Sequence, residues 1–156
     1  MVLEQLRTRL KGKVVIVGIG NTLRQDDGIG AILANRLKGK VPYTVFDSGA
    51  SPENYLGKIT AEKADVVLFI DAVDFGGEPG ELRLIEGDEL SSANMYFTHN
   101  ASLALNINYL KSSLGADIII LIIQPKSIAF GNMMSKELDY TLDKLENWFY
   151  GRQEKG

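Results

Sequence analysis

The chain has 156 residues, 45% hydrophobic and 24% charged, with a net charge of −3, the make-up of one ordinary globular domain able to bury a core unaided. The absence of cysteine excludes disulfides, cysteine-ligated zinc and a cysteine nucleophile, and the acidic balance argues against nucleic acid, which needs a basic face. No apolar run approaches the ~20 residues of a membrane span, and Met1–Lys13 is amphipathic and charged, unlike a signal peptide, so the cytoplasm is the expected compartment and membrane insertion is not expected.

Val2, Leu3, Leu6 and Leu10 recur at helical spacing and predict a short first helix. Val14–Val17 is a continuous β-branched run, the mark of a strand buried on both faces, and Gly18 and Gly20 break it. After Asp26-Asp27-Gly28, the positions Ile29, Ile32, Leu33 and Leu37 define a helix face that Gly39 stops. Tyr43–Phe46 reads as a second strand ending in the turn Asp47-Ser48-Gly49. Ser51-Pro52-Glu53 reads as a helix start with Ser51 as its N-cap. Val66–Ile70 is a third strand, the Phe75–Gly80 stretch a loop, and Leu82–Ile85 a short strand whose Arg83 suits a sheet edge. Leu103, Ile107, Leu110 and Leu114 mark a helix closed by Gly115. Ile118–Ile123 is the last buried strand, and Leu138, Leu142, Leu145 and Phe149 mark the last helix. Residues 1–156 are expected to form one domain, with Gly151–Gly156 as a frayed tail.

Alternation of strands and helices predicts an α/β fold with a mostly parallel sheet covered on both faces. In open sheets of this kind, ligands bind outside the carboxyl ends of the strands. The segments Gly18–Asp27, Asp47–Ser51 and Asp71–Asp74 all follow strands directly.

Those strand ends carry the candidate chemistry. The Gly18-Ile19-Gly20 stretch invites a dinucleotide reading, but Leu23 stands where the fingerprint needs its third glycine, and Asp26 and Asp27 would repel a pyrophosphate. A tight strand exit is the simpler reading of these glycines. Asp26 and Asp27 either cap the following helix or, at the end of a strand, ligate a metal. Asp71 is open to the same two readings, with Asp74 as its competitor. The single histidine, His99, either caps the helix behind it or joins the two acids. Two carboxylates and one imidazole suit nickel, zinc, manganese or ferrous iron, and three protein ligands leave coordination positions open. Ser48, Ser51 and Ser102 could supply a serine nucleophile, but no Gly-x-Ser-x-Gly elbow is present. Asp47-Ser48-Gly49 has the short signature of aspartic proteases in one copy only, amid β/α alternation, and reads as a turn at a strand exit.

Taken in order, the run Gly18–Gly30 (GIGNTLRQDDGIG), Asp47-Ser48-Gly49 with Ser51-Pro52-Glu53-Asn54, Ile70-Asp71-Ala72, Gly80-Glu81, Thr98-His99-Asn100 and Ile123-Gln124-Pro125 resembles the motif series of the hydrogenase maturation peptidases, from about Val14 to Leu145. The Ala50–Asn54 stretch is most similar to the branch serving membrane-bound, hydrogen-evolving enzymes. The resemblance implies a three-layer α/β/α sandwich with a mostly parallel five-stranded sheet and one short antiparallel edge strand. It implies an endopeptidase that removes the C-terminal extension of a nickel–iron hydrogenase large-subunit precursor after nickel insertion. It puts the metal-contacting and catalytic roles on Asp27, Asp71 and His99, and leaves Asp26 and Asp74 with supporting roles. The nickel is expected to arrive in the precursor, held only weakly by the free chain, which is expected to be a monomer. The competing readings are a non-catalytic module that holds nickel or the precursor, and a small-ligand domain using the Gly18–Gly30 loop.

Overall fold

The computed structural model describes residues 1–91 and 100–154. Five strands form one sheet: β1 (Val14–Gly18), β2 (Thr44–Asp47), β3 (Val66–Ala72), β4 (Leu82–Glu86) and β5 (Asp117–Ile123), in the spatial order β2-β1-β3-β5-β4. The β1–β2, β1–β3 and β3–β5 pairs are parallel, and only β4 runs against its neighbour. The helices are α1 (Val2–Arg9), α2 (Ile29–Leu37), α3 (Leu56–Ala61), α4 (Asn100–Leu114) and α5 (Lys136–Glu154).

Strand alternation divides the core in two. Val14 and Ile16 of β1, Leu68 and Ile70 of β3, and Ile119, Leu121 and Ile123 of β5 pack against Leu6 of α1, Leu33 and Leu37 of α2, and Leu142, Leu145 and Phe149 of α5. The intervening residues Val15, Val17, Val67, Phe69, Ile118 and Ile120 pack against Ile59 of α3 and Leu103, Ile107 and Leu110 of α4. The sheet is therefore the middle layer of three, and the central strands read as unbroken apolar runs because both of their faces are covered. β4 is half-buried and carries Arg83 at the open edge, where a charge discourages further pairing. Arg9 fastens α1 to this edge, donating to Glu86 at 2.6 and 2.8 Å and to Asp117 at 2.7 Å.

Beyond shifts of one residue at strand ends, three features differ from the sequence reading. Ser51 makes no side-chain capping bond; Pro52–Tyr55 is a 3₁₀ turn, and the α-helix starts only at Leu56. The proline fixes the first φ of that turn, and the Ser51 N–H donates back to the Ser48 carbonyl at 3.2 Å. β3 runs two residues past Ile70, so Asp71 is a ladder residue opposite Ile122 rather than the first residue of a loop. α5 continues through Glu154, so residues 151–154 are helical where a frayed tail was expected.

Candidate active site at the carboxyl ends of the strands

β1 lies between β2 and β3. The chain leaves β1 through α2 on one face of the sheet and leaves β2 through α3 on the other. The crevice between β1 and β3 is thus the topological switch point, where open α/β sheets bind their ligands. The last β1–β3 pair is Gly18 with Ile70, and the Ile19 N–H closes the ladder by donating to the Ile70 carbonyl at 2.8 Å. Asp71 lies one residue farther on, beyond the end of β1. Alternation sets it on the same face as Val67, Phe69 and Val73, the face covered by α3 and α4.

The loop that leaves β1 folds back over this point. It ends in a 3₁₀ turn, Gln25–Gly28, which packs on β3. Glycine makes the approach possible. A Cβ on Gly30 would stand 2.3 Å from the carbonyl oxygens of both Ile19 and Ile70, and one on Gly20 would stand 2.5 Å from the Asp27 carbonyl. No side chain fits in either space. These glycines are therefore spacers for the strand exit and the start of α2. Leu23, at the third position of the would-be nucleotide fingerprint, is 67% exposed.

The two neighbouring aspartates have different tasks. Asp26 is fully buried and turns toward the loop after β5. Its Oδ2 accepts from the Lys126 N–H at 2.8 Å, the Ser127 N–H at 3.0 Å and the Ser135 hydroxyl at 2.7 Å, and its Oδ1 accepts from the Ser135 N–H at 2.8 Å. Both oxygens serve this loop, so Asp26 does not cap α2, whose N-cap position is Gly28. Asp27 is also buried, and its Oδ2 accepts the Asn21 N–H at 3.2 Å. Asp71 is fully buried as well. Asp71 thus lies on β3 one residue past the last β1 pair, and Asp27 lies in the 3₁₀ turn that packs on β3. His99 and Thr98 lie outside the described residues. Among the described residues no group of three or more His, Asp or Glu side chains is gathered as a metal site.

Neighbouring loops form the frame. Ser48 donates both its N–H, at 2.9 Å, and its hydroxyl, at 3.0 Å, to the Gly18 carbonyl. The Gly20 N–H donates to the Gly49 carbonyl at 2.8 Å. Asp47 accepts from its own turn and from Asn35. The Asp47-Ser48-Gly49 stretch is therefore a strand-exit turn, as its sequence suggested. Asp74 is held by Gln124 at 3.1 Å, and the same amide accepts the Phe75 and Gly77 N–H groups. Gln124 organises the turn after β3, and Asp74 belongs to that turn. Sequence reading missed the roles of Gln124 and of the 126–135 loop, because their partners lie about fifty to a hundred positions away in the chain.

The fold is that of a protease family. Residues 29–149 match the family model described as hydrogenase maturation protease, HycI. The chain is 34% identical to the hydrogenase 3 maturation protease of Escherichia coli K12 over 140 residues, 86% of this chain and 89% of that protein. It superposes on the crystal structure of the [NiFe] hydrogenase maturation protease HycI from Thermococcus kodakarensis with a TM-score of 0.86 at 33% identity, covering 96% and 99% of the two chains. The E. coli maturating endopeptidase HybD shares the fold at a TM-score of 0.76 and 19% identity, over 93% of this chain and 94% of its own. The chain belongs to the hydrogenase maturation protease family.

Proposed function

We propose that this chain is the endopeptidase that removes the C-terminal extension of a nickel–iron hydrogenase large-subunit precursor once nickel has been inserted. The observation that carries the reading is a pair of buried carboxylates at the β1/β3 switch point, Asp71 on β3 one residue past the last β1 pair and Asp27 in the 3₁₀ turn that packs on β3. His99 immediately precedes α4, and α4 packs on the face to which Asp71 belongs. Its imidazole would complete a set of two oxygens and one nitrogen, which a nickel ion accepts.

The nickel belongs to the substrate, held by the precursor's own ligands. Asp27, Asp71 and His99 would read its presence through open coordination positions and thereby hold the extension with its scissile peptide beside the carboxylates. A water then adds to the carbonyl carbon, the C–N bond breaks, and the new amine takes a proton. One of the two carboxylates serves as the base that removes the water proton. The chain acts as a monomer in the cytoplasm.

The test is to incubate the chain with nickel-loaded and nickel-free precursor and weigh both products. A mass loss equal to the extension, confined to the nickel-loaded sample, supports the proposal. Binding without mass loss would make the chain a non-catalytic maturation module, and cleavage of both samples would remove the metal from recognition.

A further inference from the structure

Two loops at the mouth of the switch-point crevice are locked together and display apolar side chains to solvent. Arg24 and Gly131 form an isolated parallel bridge. The Gln25 N–H donates to the Gly131 carbonyl at 2.8 Å, the Gly131 N–H to the Leu23 carbonyl at 2.9 Å, and Arg24 Nε to the Ile128 carbonyl at 3.0 Å. The Arg24 guanidinium stands 5.7 Å over the Phe130 ring, and Asp26 anchors the base of the second loop. Around this bridge Leu23 is 67% exposed, Phe130 84% and Met133 79%, with Ile128 at 36%. Half of the strongly exposed large apolar side chains among the described residues lie on these two loops. Such a patch marks an interaction surface, and an exposed methionine in it suits varied apolar partners.

We infer that this double-loop patch is the docking surface for the precursor, and that it receives an apolar, uncharged or acidic stretch of the large subunit next to the scissile bond. The inference rests on the endopeptidase reading above and adds the recognition surface to it. Three observations favour this occupant. Arg24 begins the segment that leads within three residues to Asp27, so anything seated on the patch lies at the mouth of the crevice. In a chain of net charge −3, the stretches 21–25 and 125–135 contain no acid; their charges are Arg24 and Lys126, the latter paired with Glu137 at 3.0 Å. A cationic partner thus gains nothing there, and an acidic or neutral one does. The four side chains offer roughly 500 Å² of apolar surface, short of the ~800 Å² per partner of a stable complex. That area suits a substrate that must leave after cleavage better than a permanent second copy of this chain.

The test is the double variant Leu23→Ser/Phe130→Ser, with Leu23→Met/Phe130→Leu as the conservative control. Binding to nickel-loaded large-subunit precursor is measured by rapid mixing with the active chain before cleavage, and cleavage kinetics in the same chain. The serine variant should bind about tenfold more weakly or worse, with the loss appearing in KM rather than in kcat, and the conservative variant should stay within about threefold of the parent. Precursor affinity unchanged by the serine pair would overturn the docking surface even if cleavage proceeds normally. A parent chain that sediments as a dimer which the serine pair dissolves would overturn it in favour of self-association. Patch-dependent binding by a chain that never cleaves would leave the docking surface standing and remove the endopeptidase reading. No binding and no cleavage by the parent would remove both.

Discussion

Asp26 should be among the most sensitive surface-loop anchors in the molecule. Four donors, the backbone N–H groups of Lys126, Ser127 and Ser135 and the Ser135 hydroxyl, converge on its two oxygens at 2.7–3.0 Å, and the carboxylate itself is fully buried. Hydrogen bonds to a charged acceptor contribute about 1.5–3 kcal/mol each. Simple addition overshoots, because Ser127 and Ser135 are only half-buried and water can replace part of what is lost. Asp26→Ala should therefore cost about 3–5 kcal/mol, a large share of the ~5–15 kcal/mol that stabilises a domain. Asp26→Asn keeps the shape but turns an NH₂ toward a donor whichever way it is flipped, and should cost about 2–3 kcal/mol. Urea denaturation gives both values. Amide exchange supplies the local readout: in the Asn variant the Lys126, Ser127 and Ser135 amides should lose protection while the central strands keep theirs. A cost below about 1 kcal/mol for Asp26→Ala, or undiminished protection of those amides, would refute the view that this carboxylate organises the loop.

Other predictions follow from the same geometry. Gly30→Ala drives a Cβ to 2.3 Å from two backbone oxygens; it should lower stability by about 3 kcal/mol or more and reduce precursor cleavage by displacing the turn that carries Asp27, as thermal melting and a cleavage assay would show. The hydrogen bond from Arg9, followed in weight by opposing desolvation, holds the Glu86 carboxyl below its ordinary range. A depressed carboxyl stabilises the fold above its unfolded pKa and loses that contribution as pH falls through its folded value. Because the Glu86 side chain is 45% exposed, the effect should be below about 1 kcal/mol: Glu86→Gln should be slightly less stable than the parent at neutral pH, and the gap should close in acid denaturation series. If Asp27, Asp71 and His99 are the whole ligand set, with no thiolate among them, the isolated chain should bind added nickel weakly and lose it on dialysis against chelator; stoichiometric nickel surviving that step would make the metal resident.

Much of the architecture was legible because it is written in local pattern. The runs Val14–Val17 and Ile118–Ile123 have no polar side, so they could only be strands covered on both faces, and Arg83 on Leu82–Glu86 marked the edge. Strand-end position left Asp26 with Asp27, and Asp71 with Asp74, open between capping and ligation, and only the motif resemblance singled out Asp27 and Asp71. What was not legible is long-range. Nothing around Asp26 announces that its partners stand a hundred residues on, and nothing near Leu23 announces the Arg24–Gly131 bridge that turns two loops into one surface. Ser51 was misread as a cap because a serine before proline signals a helix start in sequence, whereas here the proline opens a 3₁₀ turn first. The third member of the candidate trio, His99, lies outside the described residues.

The claim that Asp27, Asp71 and His99 act as one metal-reading unit is tested most directly by cleavage of nickel-loaded precursor with Asp71→Asn, His99→Ala and the two combined. Groups that act together are not additive: each single variant should abolish processing while the chain stays folded, and the double variant should be no worse. Single variants that process the precursor at the parental rate would contradict the account.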